Sequence, residues 1–459
     1  MRSAKILPYC LLVACSLVSA SQAPRTTATV TLFEGARLIT GDGEAPIENS
    51  AFIVENTRFT KVGRKGELKP PAGAVRVDLT GKTVMPALIE LHTHLGYWKG
   101  MVNSAENYTR ENILDHLDRF AYSGVAAVLS LGVARGDLEF QLQDEPHPGA
   151  PLLRTAGRGL ARPNGGPGAP MRDTPYGIST EAEARKAMQE LAAKKANFVK
   201  IWVDDRRGTV PKLTADLYRP AIDEAHKRNL HVLAHVSQLA DVKDLIRAGL
   251  DGFAHPVWMQ EETDDELIQV LKQHPKVFIL TTLKWGNRIG GRPALLDEPL
   301  LRELHPAEEL KQVGDELANA KPDDVARARS AWTGRVLPSV AKLKAAGVRF
   351  GLGSDFGGTG IGAGFLGVTS HMELENLVAV GLTPAEAIVA ATRNSAEILG
   401  LDQLGMVAPG KSADFIVLDA NPLDNIANTR RIAKVYLRGT DVNRAALRAK
   451  WTGKRTTSP

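Results

Sequence analysis

The sequence predicts an α/β protein: a TIM-like (β/α)8 barrel carrying a small composite β-sandwich domain built from both chain ends. Three observations carry the prediction. Apolar strand candidates alternate with helical periodicity through the middle of the chain, short alternating strands cluster at the two ends, and histidine, lysine and aspartate residues recur at the C-termini of the central strand candidates. At 459 residues the chain is long enough for one large core and a subsidiary domain.

The first residues read as an export signal. Arg2 and Lys5 form a positive start, an apolar run follows from Ile6 to about Val18, and small residues offer cleavage after Ala20 or Ala23. The expected signal therefore spans 1–23, and the protein is expected to be exported, periplasmic or secreted. The run is short for a bilayer span. Leu12-Val13-Ala14-Cys15 also resembles a lipoprotein box, so membrane attachment is expected only if Cys15 is lipidated. Cys10 and Cys15 are the only cysteines, and ordinary cleavage would remove both. That excludes disulfides, thiolate ligands and a cysteine nucleophile from the mature chain.

Next come short strands with turn signals: Ala28–Phe33, Ser50–Val54, Phe59–Val62 and Val75–Leu79, with turns at Gly41-Asp42-Gly43 and Thr80-Gly81-Lys82. Ala413–Leu418 and Val435–Leu437 read the same way. Segments 28–86 and 400–445 are expected to pair into one domain, with 87–399 as a barrel inserted between them. The barrel strand candidates run Val84–His92, Val125–Leu131, Pro151–Gly157, Phe198–Val203, His231–Val236, Gly252–Pro256, Val277–Leu283 and Phe350–Asp355. Helical periodicity separates them at Thr180–Lys195, Thr214–Arg228, Leu239–Ala248 and Asp264–Gln273. A polar stretch from Arg288 to Ser330 reads as a helical insertion or lid.

Residues at the C-terminal ends of barrel strands carry the chemistry. Here they are His92 and His94 (first strand), Lys200 (fourth), His235 (fifth), His255 (sixth) and Asp355 (eighth). In His92-Thr93-His94 the two-residue alternation turns both imidazoles to one side. Four imidazoles and a carboxylate suit one or two divalent zinc-like ions. A lysine ammonium beside them is anomalous, because it would repel cations from a packed strand. Carboxylation of Lys200 to a carbamate would remove the anomaly and supply two bridging oxygens. Taken singly, each histidine could be a packed residue, Lys200 could snorkel and Asp355 could cap the turn before Gly357. His116, His147, His226, His231, His274, His305 and His371 read as surface or packing residues.

Those residues bring in a resemblance over nearly the whole mature chain. Val84-Met85-Pro86-Ala87-Leu88-Ile89-Glu90-Leu91-His92-Thr93-His94 resembles the first-strand motif of the metal-dependent amidohydrolase superfamily, in its imidazolonepropionase-like and prolidase-like branch. Ala87 and Glu90 stand where Gly and Asp are usual. Ala234-His235, Phe253-Ala254-His255 and Gly353-Ser354-Asp355 match the later ligand positions, and Gly381-Leu382-Thr383-Pro384 with Ala390-Ala391-Thr392 the closing helices. Gly405–Asp414 resembles the return into the small domain.

The resemblance implies two divalent ions, with Zn2+ the expected metal. His92, His94 and Asp355 would hold one, His235 and His255 the other, and N6-carboxylated Lys200 would bridge them. It implies amide hydrolysis by a metal-bound hydroxide, with Asp355 as general acid and base. The expected partners are small-molecule amides or peptides, first of all dipeptides or N-acyl amino acids. A cyclic-amide or ester (lactone) hydrolase is the alternative on the same site, and a non-catalytic binding protein on the same barrel is the alternative of another class. Tyr97, Arg158, Arg162 and Trp202 are candidate substrate contacts, with Trp98 and Trp258 also placed after ligands. Pro167 stands after Gly165-Gly166, where relatives often carry a carbonyl-polarising histidine, so the substrate is left open. The formal charge of +5 is dispersed among acids, with no basic stripe that would suit nucleic acid. Self-association into a homo-oligomer is compatible with the sequence.

Overall fold

The computed structural model describes residues 30–256, 261–283, 296–319, 321–358 and 364–452. The signal-peptide reading, both cysteines, Trp258 and part of the 288–330 stretch lie outside them. The fold is α/β. Eight central strands are labelled β1 (Leu88–Thr93), β2 (Val125–Ser130), β3 (Leu152–Thr155), β4 (Phe198–Val203), β5 (His231–Val236), β6 (Gly252–Phe253), β7 (Phe278–Leu280) and β8 (Arg349–Gly351). One parallel sheet has the order β3-β2-β1. A second, also parallel, runs Tyr176–Gly177, Leu160–Ala161, then β4-β5-β6-β7-β8.

Hydrogen bonds continue across both junctions between these sheets. Beside β8, Leu91 N donates to Leu352 O at 2.9 Å and His94 N to Phe356 O at 2.7 Å, with a parallel bridge between Thr93 and Phe356. On the other side Asn197 N donates to Thr155 O at 2.9 Å. The central strands are buried along almost their whole length, as parallel strands covered on both faces should be.

The helices follow from caps and periodicity. We label α1 (Arg110–Tyr122), α2 (Leu138–Asp144), α3 (Glu181–Ala193), α4 (Ala215–His226), α5 (Leu239–Arg247), α6 (Asp265–Gln273), α7 (Leu337–Ala345) and α8 (Val368–Ala379). Thr180 and Glu183 form a reciprocal capping box at the start of α3, and Asp264 caps α6 through Leu267 N. α3 buries Ala184, Ala187, Met188 and Leu191, the three- and four-residue spacing of one helix face.

One expected strand is two. Thr83–Pro86 pairs antiparallel with Phe415–Leu418, whereas Leu88–Thr93 pairs parallel with β2. The break falls at Pro86, which has no N–H to continue a ladder, and Ala87 N turns to Asp414 O at 3.1 Å. A five-stranded sheet thus joins strands from the two halves of the chain: Arg37–Leu38, Thr83–Pro86, Phe415–Leu418, Ile432–Leu437 and Thr440–Asp441. Phe33, Phe52, Phe59, Phe415 and Tyr436 pack together against it, with Phe415 and Tyr436 stacked at 4.5 Å. The polar stretch before β8 is helical at Pro299–Leu304, Ala307–Ala318 and Pro322–Ala331. Its first part lies against α1 and the C-terminal helix Arg444–Thr452: Tyr122 Oη donates to Glu303 at 2.7 Å and Arg119 to Leu304 O. Among the described residues no helix is long and apolar enough to cross a membrane.

Candidate metal centre

His92, the residue before the last of β1, is almost completely buried, at 1 % exposure. Its Nδ1 lies 3.1 Å from Ala254 O and 3.2 Å from Thr282 Oγ1. A carbonyl only accepts, so Nδ1 carries the proton and donates, which leaves the Nε2 lone pair facing the site. Asp355 Oδ1 sits 3.5 Å from that Nε2 and 3.0 Å from His94 Nε2. The three side chains can offer ligand atoms within 4.8 Å of one another. His92 and His94 cross edge to face at 5.2 Å, the consequence of one intervening residue on an extended chain.

The second cluster adjoins the first. His255 lies 5.1 Å from His92, ring to ring. Its Nε2 faces His235 Nδ1 at 2.8 Å. Burial holds His255 well below the usual imidazole range, helped by the neighbouring His235, His92 and Lys200. A neutral imidazole is the form that ligates metals. Lys200, 1 % exposed on β4, interacts electrostatically with members of both clusters, Asp355 and His255. Burial pushes it down to about 7, against a raising effect from the nearby Asp355 carboxylate. Near neutrality much of it is therefore a free amine, the form that can react with carbon dioxide. Four imidazoles, a carboxylate and a depressed lysine are a donor set that fits divalent ions.

The support beneath the site is specific. Glu90 is fully buried and accepts from His92 N (3.0 Å), Ser354 N (2.8 Å) and Ser370 Oγ (2.7 Å). It ties β1, the β8 loop and α8 together directly below the ligands. Burial raises its carboxyl to about 7. Asp355 adopts φ +50° and Thr282 φ +39°, unfavourable for ordinary residues and worst for a β-branched one. Such strain persists only where surrounding contacts enforce it. Gly357, at φ +86°, has room for nothing larger: a Cβ there would lie 2.3 Å from His94 O.

The expected substrate contacts are placed differently from one another. Trp202 covers Lys200, whose Nζ is 5.4 Å from the ring. Tyr97 is fully buried and donates to Val133 O at 2.6 Å, within an apolar cluster with Val133, Ala161, Met171 and Trp202. Arg158 donates to Thr174 O (2.6 Å) and Pro175 O (3.1 Å) while stacking on Tyr176; Arg162 donates to Ile178 O at 3.0 Å. His231 faces away from the centre, paired with Asp251 at 2.9 Å as His226 is.

Two supporting residues escaped the sequence reading. Asp204 lies 3.4 Å from His235 Nε2, and Thr282 lies beside His92. Asp204 had a signal: Lys200, Trp202 and Asp204 alternate, so they share a face of β4 and its extension. Thr282 had none, because its role depends on a turn brought in from β7.

The sequence pattern of the amidohydrolase family matches residues 83–442. The chain is 26 % identical over 407 residues to an imidazolonepropionase of Cereibacter sphaeroides strain KD131, covering 83 % of this chain and 90 % of that enzyme. It is 23 % identical over 403 residues to an enamidase of Eubacterium barkeri, covering 85 % and 86 %. Among solved structures, a putative prolidase from Bifidobacterium longum superposes with a TM-score of 0.69 at 26 % identity, over 92 % of this chain and 98 % of that one.

Proposed function

The chain belongs to the amidohydrolase family, hydrolases acting on carbon–nitrogen bonds, and from that premise we propose that it cleaves the amide bond of dipeptides or N-acyl amino acids. The observation that carries the reading is the convergence of His92, His94 and Asp355 with the His235–His255 pair around the buried Lys200. In this reading His92, His94 and Asp355 would hold one ion and His235 and His255 the second, with Lys200, carboxylated on Nζ, as the ligand they would share. Two divalent ions, zinc in the first instance, would supply water activation at neutral pH and polarisation of the scissile carbonyl.

The chain's own residues do the rest. Asp355, held at φ +50° with Oδ1 turned to both first-strand imidazoles, takes the proton of the attacking water and delivers it to the leaving nitrogen. Glu90 keeps His92 and the Ser354–Asp355 turn in register from below. Tyr97, Val133, Ala161, Met171 and Trp202 pack as one buried apolar cluster that reaches the centre through Trp202, whose ring lies 5.4 Å from Lys200 Nζ.

A second reading, a cyclic-amide or lactone hydrolase, is favoured by one observation: Arg158, Arg162 and Arg206 all direct donors to loop carbonyls rather than into an evident carboxylate clamp. Hydrolysis assays across dipeptides, N-acyl amino acids, cyclic amides and lactones test the choice. Turnover of the first two classes is expected. Turnover of cyclic substrates alone would favour the second reading, and failure on all four with metal loaded would favour a binding protein.

We also infer that the two parallel sheets are halves of one closed barrel, supported by the hydrogen bonds at both junctions. The mixed sheet supports a composite domain of 28–86 with 400–445. Export by a cleaved leader completes the proposal and rests on the N-terminal residues alone.

A further inference from the structure

We propose that Asp204 is the positioning residue of His235, fixing the tautomer and ring direction with which that imidazole meets a metal ion. The inference rests on the metal-centre reading above. Asp204 follows β4 directly, and its two oxygens have separate duties. Oδ1 accepts from Arg206 N at 3.0 Å and from Ser237 Oγ at 3.1 Å, so the carboxylate is pinned by the loops after β4 and β5 together. Oδ2 is left to face His235 Nε2 at 3.4 Å. The opposite ring nitrogen, Nδ1, points to His255 Nε2 at 2.8 Å.

That is a directional chain: carboxylate, Nε2–H, ring, and an Nδ1 lone pair turned to His255. A carboxylate accepts and never donates when ionised, so its proximity places the proton on Nε2 and opens Nδ1 for ligation. His235 needs this support more than His92 does. The His92 ring is almost fully buried and held through Nδ1 by Ala254 O, whereas the His235 side chain is 29 % exposed. Arg206, the cation nearest in sequence, turns its guanidinium to Gly166 O and Pro167 O. Its backbone N–H, not its charge, is what Asp204 uses. A surface ion pair would have no reason to be pinned by two loops and aimed at a ligand's remote nitrogen. An orienting carboxylate requires both.

The test is metal binding by the full chain, stripped with chelator and titrated with Co2+ against a chromophoric competitor, with the visible Co2+ spectrum recorded. Asp204→Ala should weaken one of two equivalents by about 10- to 100-fold and alter its spectrum, leaving the other within about twofold. Asp204→Asn, which keeps the shape and one acceptor, should fall between. Ser237→Ala should shift the same equivalent in the same direction by less, and covers the case in which Asp204→Ala does not fold. The melting temperature of the stripped protein should stay unchanged in the variants that fold. Wild-type affinity and spectrum in Asp204→Ala would overturn the inference. Equal loss of both equivalents with a lower melting temperature would do so too, by making the role structural. A wild-type chain that takes up no metal would overturn the metal-centre reading itself, which distinguishes the two failures.

Discussion

Replacing Lys200 by Met should make the metal-free protein more stable, although it removes a residue central to the proposed centre. Lys200 is 1 % exposed, and burial lowers its amine from 10.5 to about 7. The unfolded chain keeps the higher value, so folding disfavours the ammonium at every pH below 10.5. The penalty grows as pH falls towards 7 and is constant beneath it. A shift from 10.5 to about 7 corresponds to a ceiling of about 5 kcal/mol. Met fills a similar straight volume without the charge, so after repacking losses a gain of about 2–4 kcal/mol at pH 7 is expected. Urea unfolding of chelator-stripped wild type and Lys200→Met at pH 7 and pH 10 reads this directly. The gain should shrink at pH 10, where unfolded lysine is also losing its proton. With metal restored the order should invert, because the wild type alone can form the bridging carbamate. A metal-free variant no more stable than wild type at pH 7, or a gain undiminished at pH 10, would refute the reasoning.

Glu373 on α8 is fully buried, accepts from Leu283 N and Asn376 Nδ2, and is raised by burial to about 7. A raised carboxyl contributes stability that is complete below about 4.5 and lost as pH rises through about 7. Thermal unfolding of metal-free Glu373→Gln should therefore lose about 3 kcal/mol less than wild type between pH 4.5 and 8. Gly357→Ala sets a methyl against His94 O at a positive φ; differential scanning calorimetry should show a loss of about 2 kcal/mol or more, with weakened metal uptake. The proposed leader predicts that mass spectrometry of the mature protein will find a chain beginning at Ser21 or Pro24; retention of Met1 would contradict it.

Much of this was readable because parallel strands concentrate information at their ends. The alternation in Phe198–Val203 places Lys200 and Trp202 on one face, and Ala-His at 234–235 and 254–255 repeats at the spacing of a strand–helix unit. Helix starts were legible where a cap carried its own signature, as at Thr180 with Glu183. What the sequence hid was decided by partners distant in the chain. The division at Pro86 depends on which sheet each half finds, Phe415–Leu418 or β2. Arg158 and Arg162 read from the sequence as candidate substrate contacts, and only the folded loop reveals the carbonyls of Thr174, Pro175 and Ile178 that receive them. Glu90 looked like a mild departure from a motif. Its longer side chain instead spans β1, the β8 loop and α8 in one buried network.

Elemental analysis of purified protein, wild type beside Lys200→Ala, tests the central claim most directly. About two divalent ions per wild-type chain are expected, as a bridged pair requires, and their loss when Lys200 is removed. A full metal complement in Lys200→Ala, or none in the wild type, would contradict it.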